Sequence, residues 1–133
     1  KEDNTVSCVK GFQFHKNFNG KEELDNFLNI YLRNNFHLQI IYSWLNVLGS
    51  DSRNEPHKHS GEGTMFSAGF YLSNVNNKIV FVKDDKTFEI EPKIFDLLIF
   101  PYDLVHYVLP EKRSDKRIYY AFNLKQINSK EKK

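Results

Sequence analysis

Between residues 19 and 36 the apolar positions recur at helical spacing. In NGKEELDNFLNIYLRNNF, Leu24, Phe27, Leu28, Tyr31 and Leu32 fall at i, i+3, i+4, i+7 and i+8. That spacing lays them in one stripe along an amphipathic helix over about 20–34. Asn19, with Glu22 three residues on, has the form of a capping box. The stripe predicts that Phe27 and Tyr31 are packing residues.

Beyond the helix the period changes. HLQIIYSWLNVLG (37–49) is β-branched and aromatic, and GTMFSAGFYLS (63–73) is of the same kind. NKIVFVK (77–83) and KTFEIEP (86–92) flank Asp84-Asp85 and read as a hairpin. FDLLIFP (95–101), VHYVLP (105–110) and RIYYAFNLKQI (117–127) complete the set. One helix followed by seven or eight short strands predicts an antiparallel sandwich or barrel. No βαβ alternation and no glycine-rich phosphate loop occurs, which argues against a nucleotide-binding α/β fold. The absence of repeats, of a Pro/Gly-rich linker and of any shift in composition predicts a single domain over 1–133, with a basic tail at 128–133.

Composition narrows the classes. Hydrophobic residues make up 40% and aromatics 15% of the 133 residues, enough for one packed core. The formal charge is only +2, so it gives no electrostatic case for nucleic acid or an anionic membrane. A lone Cys8 excludes an internal disulfide and a cysteine-based zinc site. No apolar run has the length of a membrane span, and KEDNTVSC has no apolar signal-peptide core. The expectation is a soluble, cytoplasmic protein. An aromatic-rich small barrel can also pair through a sheet face as a homodimer.

Candidate chemistry begins at EPHKHSGEG (55–63). If His57 and His59 extend from the end of a strand, their i, i+2 spacing sends both imidazoles to one face. His106 opens VHYVLP just after the turn FPYDLVH and is the candidate third ligand. Three ligands on one octahedral face leave three positions open, as oxygen-activating iron requires. The usual set is two His and a carboxylate; here a three-histidine face is the direct reading, with Glu62 as the nearest acid that could serve instead or in addition. His15 and His37 stand alone beside Phe residues and read as strand-edge or packing residues.

Arg117 opens the strand RIYYAFNL. A lone Arg there is ordinarily a rim residue whose stem covers the core edge. If its strand pairs with that of His106, its planar fork could instead grip the far carboxylate of a bound co-substrate. The segments SWLNV (43–47), HKHS (57–60), SAGFYL (67–72), DLLIFPYDLVHYVLP (96–110) and RIYYAFN (117–123) together resemble the Fe(II)- and 2-oxoglutarate-dependent oxygenases, most closely their small phage- and bacteria-encoded members with an H-x-H motif. The resemblance implies a double-stranded β-helix (a jelly roll, the cupin-like barrel) over about 37–127. It implies iron on His57, His59 and His106, with the distal carboxylate of 2-oxoglutarate on Arg117, assisted by Tyr119 and Tyr71. Asn46 and Asn123 are weaker candidates for the wall, while Trp44, Phe66, Phe70 and Phe122 are expected in the core. Two positions depart from the family pattern: His59 replaces its usual Asp, and Phe95 replaces a Gly before the second metal-bearing strand.

The implied reaction is hydroxylation of a small-molecule or peptide substrate, with SDSRNEP (50–56) and PEKRSDK (110–116) as loops rimming the mouth. The same residues also resemble a cupin that uses His57, His59, Glu62 and His106 without 2-oxoglutarate. A third reading is a jelly-roll binding module with no metal.

Overall fold

The computed structural model describes residues 8–58, 63–74, 78–112 and 115–128, with the backbone alone for 8–10 and 51–57. It is mainly antiparallel β. The order is β1 (Cys8–Phe14), α1 (Lys21–Phe36), β2 (Leu38–His57), β3 (Phe66–Tyr71), β4 (Ile79–Lys83), β5 (Lys86–Ile90), β6 (Leu97–Pro101), β7 (Val105–Val108) and β8 (Arg117–Gln126). No helix among the described residues is long and apolar enough to cross a membrane.

Strand order runs β5-β4-β7-β2-β8-β3-β6, with β1 along β2. β2 is the joint. Its first part, Leu38 to Leu48, pairs with β8, whereas Asn54 and His57 pair with β7. One long strand therefore serves both a β2-β8-β3-β6 layer and a β2-β7-β4-β5 layer. The layers face each other: Val108 of β7 packs with Leu48, Tyr71, Tyr119 and Ala121 of the other layer. Phe81 of β4 likewise meets Phe100 of β6 edge to face at 4.9 Å, although those strands share no ladder.

β8 is buried on both faces, which is why RIYYAFNL carries almost no polar alternation. Tyr120, Phe122 and Leu124 pack under α1 with Leu28, Leu32, Leu38 and Ala68. Arg117, Tyr119 and Ala121 face the interior between the layers. In the β4–β5 hairpin, Asp84 and Asp85 take φ of 53° and 64° between Lys83 and its partner Lys86, the positive values a two-residue primed turn requires.

Several expectations change. β1 precedes the helix and was not legible as a strand. The segment 50–56 is strand backbone within β2 rather than a loop. The helix runs on to Phe36 and starts from Gly20 in a left-handed conformation, with no side-chain cap, so the Asn19–Glu22 capping box does not form. His37 closes the helix as a left-handed C-cap whose N–H donates to the Leu32 carbonyl. The apolar stripe also splits: Leu28 and Leu32 are buried, but Phe27 is 61% and Tyr31 46% exposed. Five apolar positions are wider than the strip of α1 that touches the sheet.

A polar clamp fixes the start of α1. Tyr120 Oη donates to Asp25 Oδ1 at 2.6 Å, Ser43 Oγ donates to the same oxygen at 3.0 Å, and Lys21 Nζ reaches Asp25 Oδ2 at 3.0 Å and Ser43 at 2.7 Å. Burial, and then the bond to Asp25, hold the Tyr120 phenol well above its ordinary pKa. Asp25→Ala leaves Lys21 without its ion pair and two buried hydroxyls without their shared acceptor. It is expected to lower unfolding free energy by about 2–3 kcal/mol in urea titrations.

Candidate functional site

The inner face of the first layer is read in rows across β2, β8 and β3. Leu48 opposes Arg117; Asn46 opposes Tyr119, which opposes Tyr71; Trp44 opposes Ala121, which opposes Gly69; and Tyr42 opposes Asn123, which opposes Ser67. A small-residue row, Gly69 and Ala121, thus lies between two rows that carry polar groups.

Arg117 is 0% exposed. Its guanidinium carbon lies 4.4 Å from the Tyr119 ring centroid and 5.6 Å from that of Tyr71, and the two rings stack at 5.4 Å. A buried cation against aromatic faces gains about 2 kcal/mol from the contact, far less than its desolvation costs. The Tyr71 ring lies back over its own strand: a Cβ on Gly69 would come within 3.2 Å of Tyr71 Oη and Cε1. Glycine at 69 is what lets the phenol reach across β3.

Burial raises the Tyr71 phenol to about 12, partly offset by the positive charge of Arg117 and a hydrogen bond with it. The unfolded chain loses this proton near pH 10, while the folded chain keeps it until about 12. Between those values the unfolded state binds fewer protons, so stability falls as pH rises. Tyr71 is expected to contribute about 2–3 kcal/mol below pH 10 that is lost by about pH 12. Unfolding free energies at pH 9 and 11.5 are expected to differ less in Tyr71→Phe than in the wild type.

Across the interior, His106 is buried in β7 and touches Phe100 edge to face at 4.8 Å. Its Nδ1 lies 3.0 Å from the Leu104 carbonyl oxygen. A carbonyl only accepts, so Nδ1 carries the proton and Nε2 is the basic nitrogen. This backbone tie is the usual way a protein orients a metal-binding imidazole. The register makes the backbone of His57 the direct partner of His106.

The structure therefore brings Tyr71, Tyr119 and Arg117 together on one inner face and sets the backbone of His57 beside His106. His59 and Glu62 lie outside the described residues, as does the side chain of His57. No three His, Cys, Asp or Glu side chains gather into a metal site among the described residues. Phe95 takes φ 71°, the left-handed value that a Gly would adopt freely, and its N–H donates to the Tyr71 carbonyl at 2.6 Å. Trp44 packs at the margin of the interior cluster, Phe66 and Phe70 are half-buried under α1, and Phe122 is core.

Two inner-face groups went unnoticed in the sequence. Ser67 is 0% exposed, and its Oγ makes no hydrogen bond among the described residues. Gln13, on the unforeseen β1, donates to Asn46. The alternation in CVKGFQF is the one signal that could have found that strand.

The fold defined by these layers is shared with iron- and 2-oxoglutarate-dependent oxygenases. Among solved structures it is similar to the non-heme α-ketoglutarate-dependent epimerase SnoN from nogalamycin biosynthesis (TM-score 0.70, 12% identity, covering 95% of this chain and 66% of that one). It is also similar to a Pseudomonas putida prolyl-4-hydroxylase (0.66, 14%, 96% and 77%). A third is the viral collagen prolyl hydroxylase of Paramecium bursaria Chlorella virus-1 in complex with 2-oxoglutarate (0.65, 13%, 91% and 81%). At these identities the likeness is one of fold. No family model matches the sequence, and no curated protein matches it.

Proposed function

We propose that this protein is a non-haem Fe(II)- and 2-oxoglutarate-dependent oxygenase on a double-stranded β-helix, akin to the small phage- and bacteria-encoded members of that superfamily. The observation that carries the reading is Arg117: a fully buried guanidinium facing the same interior as an imidazole tied through Nδ1. The two-layer strand order, with β2 shared between layers, supports the jelly-roll architecture. A lone cysteine needs no oxidising compartment, and we assign the protein to the cytoplasm.

In this reading His57, His59 and His106 hold the iron and Arg117 holds the distal carboxylate of 2-oxoglutarate. The donor set fits: neutral imidazoles suit Fe(II), and the His106 tautomer presents Nε2. When bound, iron would activate dioxygen with 2-oxoglutarate as the sacrificial reductant: one oxygen atom would enter the substrate C–H bond as an alcohol and the other would enter succinate, with loss of carbon dioxide from the co-substrate. The chain's own residues bind, orient and exclude water. The Arg117 fork fixes a carboxylate by two parallel charge-assisted bonds. Tyr71, a neutral phenol, and Tyr119 flank it, able to donate to the same carboxylate while keeping bulk water out.

The substrate is a peptide side chain or a small molecule. Two of the similar folds are prolyl hydroxylases by name, which makes a peptide the first to try. A cupin reading gives Arg117 no part, so the buried guanidinium favours the oxygenase. Protein supplied with Fe(II), ascorbate, oxygen and 2-oxoglutarate is expected to form succinate, and to form none when iron is omitted. Equal succinate in both would remove the reading.

A further inference from the structure

We propose that Gln13 and His15 are positioning residues: they turn the Asn46 amide so that its NH₂ group faces the interior, as a donor to an oxygen of the bound ligand. This rests on the reading above that a carboxylate ligand lies between the layers near Arg117.

Four side chains are linked by hydrogen bonds whose donor and acceptor roles are fixed by their chemistry. Gln13 Nε2 donates to Asn46 Oδ1 at 2.9 Å. The other end of the Gln13 amide, Oε1, lies 3.3 Å from His15 Nε2, and His15 Nδ1 lies 2.7 Å from Tyr42 Oη. An amide oxygen only accepts, so His15 Nε2 carries a proton. In a neutral ring Nδ1 then accepts, and the Tyr42 hydroxyl donates to it. The polarity therefore runs one way, from Tyr42 through His15 and Gln13 to Asn46.

Tyr42 is half-exposed, whereas Gln13 is 4% and Asn46 only 1% exposed. The relay therefore begins at the surface and ends in the core. His15 is held flat against its neighbours, with ring centroids 5.6 Å from Tyr42 and 5.5 Å from Trp44, so its nitrogens cannot swing away freely.

With Oδ1 turned toward β1, the Asn46 NH₂ is turned away from it. Asn46 sits opposite Tyr119, whose ring bears the Arg117 guanidinium. Among the described residues the Asn46 side chain makes no hydrogen bond beyond the one from Gln13. Asn46 is only 1% exposed, so an acceptor on that NH₂ would offer a bond that solvent can scarcely supply. A ligand carboxylate or carbonyl oxygen would do so, and would add a neutral donor to the charged fork of Arg117. The relay keeps the amide from flipping, which would present an acceptor to the same oxygen and repel it.

Gln13→Glu tests this with nearly unchanged shape. A carboxylate at 13 can only accept, so the Asn46 amide must reverse and turn its oxygen inward. Gln13→Met removes the hydrogen bonds at similar volume and serves if the first variant does not fold. With Fe(II) under nitrogen, the 2-oxoglutarate Kd is expected to rise about tenfold in each variant. In apo protein, the ¹⁵N-bound side-chain protons of Asn46 are expected to gain protection from exchange in Gln13→Glu, because they now donate to the new carboxylate. A structural role alone would leave those protons as they were. Unchanged exchange, or an unchanged Kd, overturns the relay. Failure of the wild type itself to bind 2-oxoglutarate overturns the functional reading and this ligand with it.

Discussion

Replacing Arg117 by Met is expected to leave the fold as stable as before, or more so, while abolishing 2-oxoglutarate binding. The two effects separate because the guanidinium is fully buried. Its desolvation opposes folding by several kcal/mol; the ring contacts with Tyr119 and Tyr71 return about 2 kcal/mol and the hydrogen bond with Tyr71 about 1 kcal/mol more. An unbranched apolar chain of similar length fills the same space at no such cost. Binding depends on the charge and on the fork. Losing one partner of a buried charge pair costs about 2–5 kcal/mol, so on the proposed reading affinity is expected to fall about 30-fold or more. Arg117→Lys keeps the charge but not the planar fork, and is expected to fall between. Calorimetric titration with 2-oxoglutarate beside urea unfolding reads both quantities. A variant that loses several kcal/mol of stability but binds normally would make Arg117 a structural residue.

On the proposed assignment of His106 as a ligand, His106→Ala is expected to reduce Fe(II) affinity by at least about 100-fold, more than the loss of a ligand's support would. The imidazole is packed against Phe100 and Phe81, so the truncation also opens a small cavity. A stability loss of about 1–3 kcal/mol should accompany the metal loss. His37→Ala is the control: His37 is an exposed helix C-cap and is expected to leave metal binding unchanged. Metal titrations on the two variants decide between them. Equal affinities would remove His106 from the metal site.

How much of this was legible in the sequence follows from what each pattern encodes. The hairpin around Asp84-Asp85 and the strands at 66–71, 97–101 and 117–126 were readable because β-branched and aromatic runs alternate or stay apolar over the lengths that strands need. The continuity of β2 was not. Residues 50–56 carry the polar, turn-forming composition of a loop, and only pairing with β1 and β7 keeps them extended. Phe27 and Tyr31 misled for a related reason. Periodicity reports which face a helix shares, not how much of that face the sheet covers.

At the candidate site, Arg117, Tyr119 and Tyr71 were nominated by resemblance, and the register of β8 against β3 is what joins Tyr119 to Tyr71. Nothing in the spacing announced Gln13. Its role depends on an N-terminal strand laid antiparallel to β2, a pairing across more than thirty residues of chain.

If this interior holds iron and 2-oxoglutarate together, adding Fe(II) and then 2-oxoglutarate to the protein under strict exclusion of oxygen is expected to give a visible metal-to-ligand charge-transfer band. The band is expected to saturate with 2-oxoglutarate in the wild type and to be missing in Arg117→Met and His106→Ala. Iron binding with no such band, or a band of equal strength in all three proteins, would contradict that joint binding.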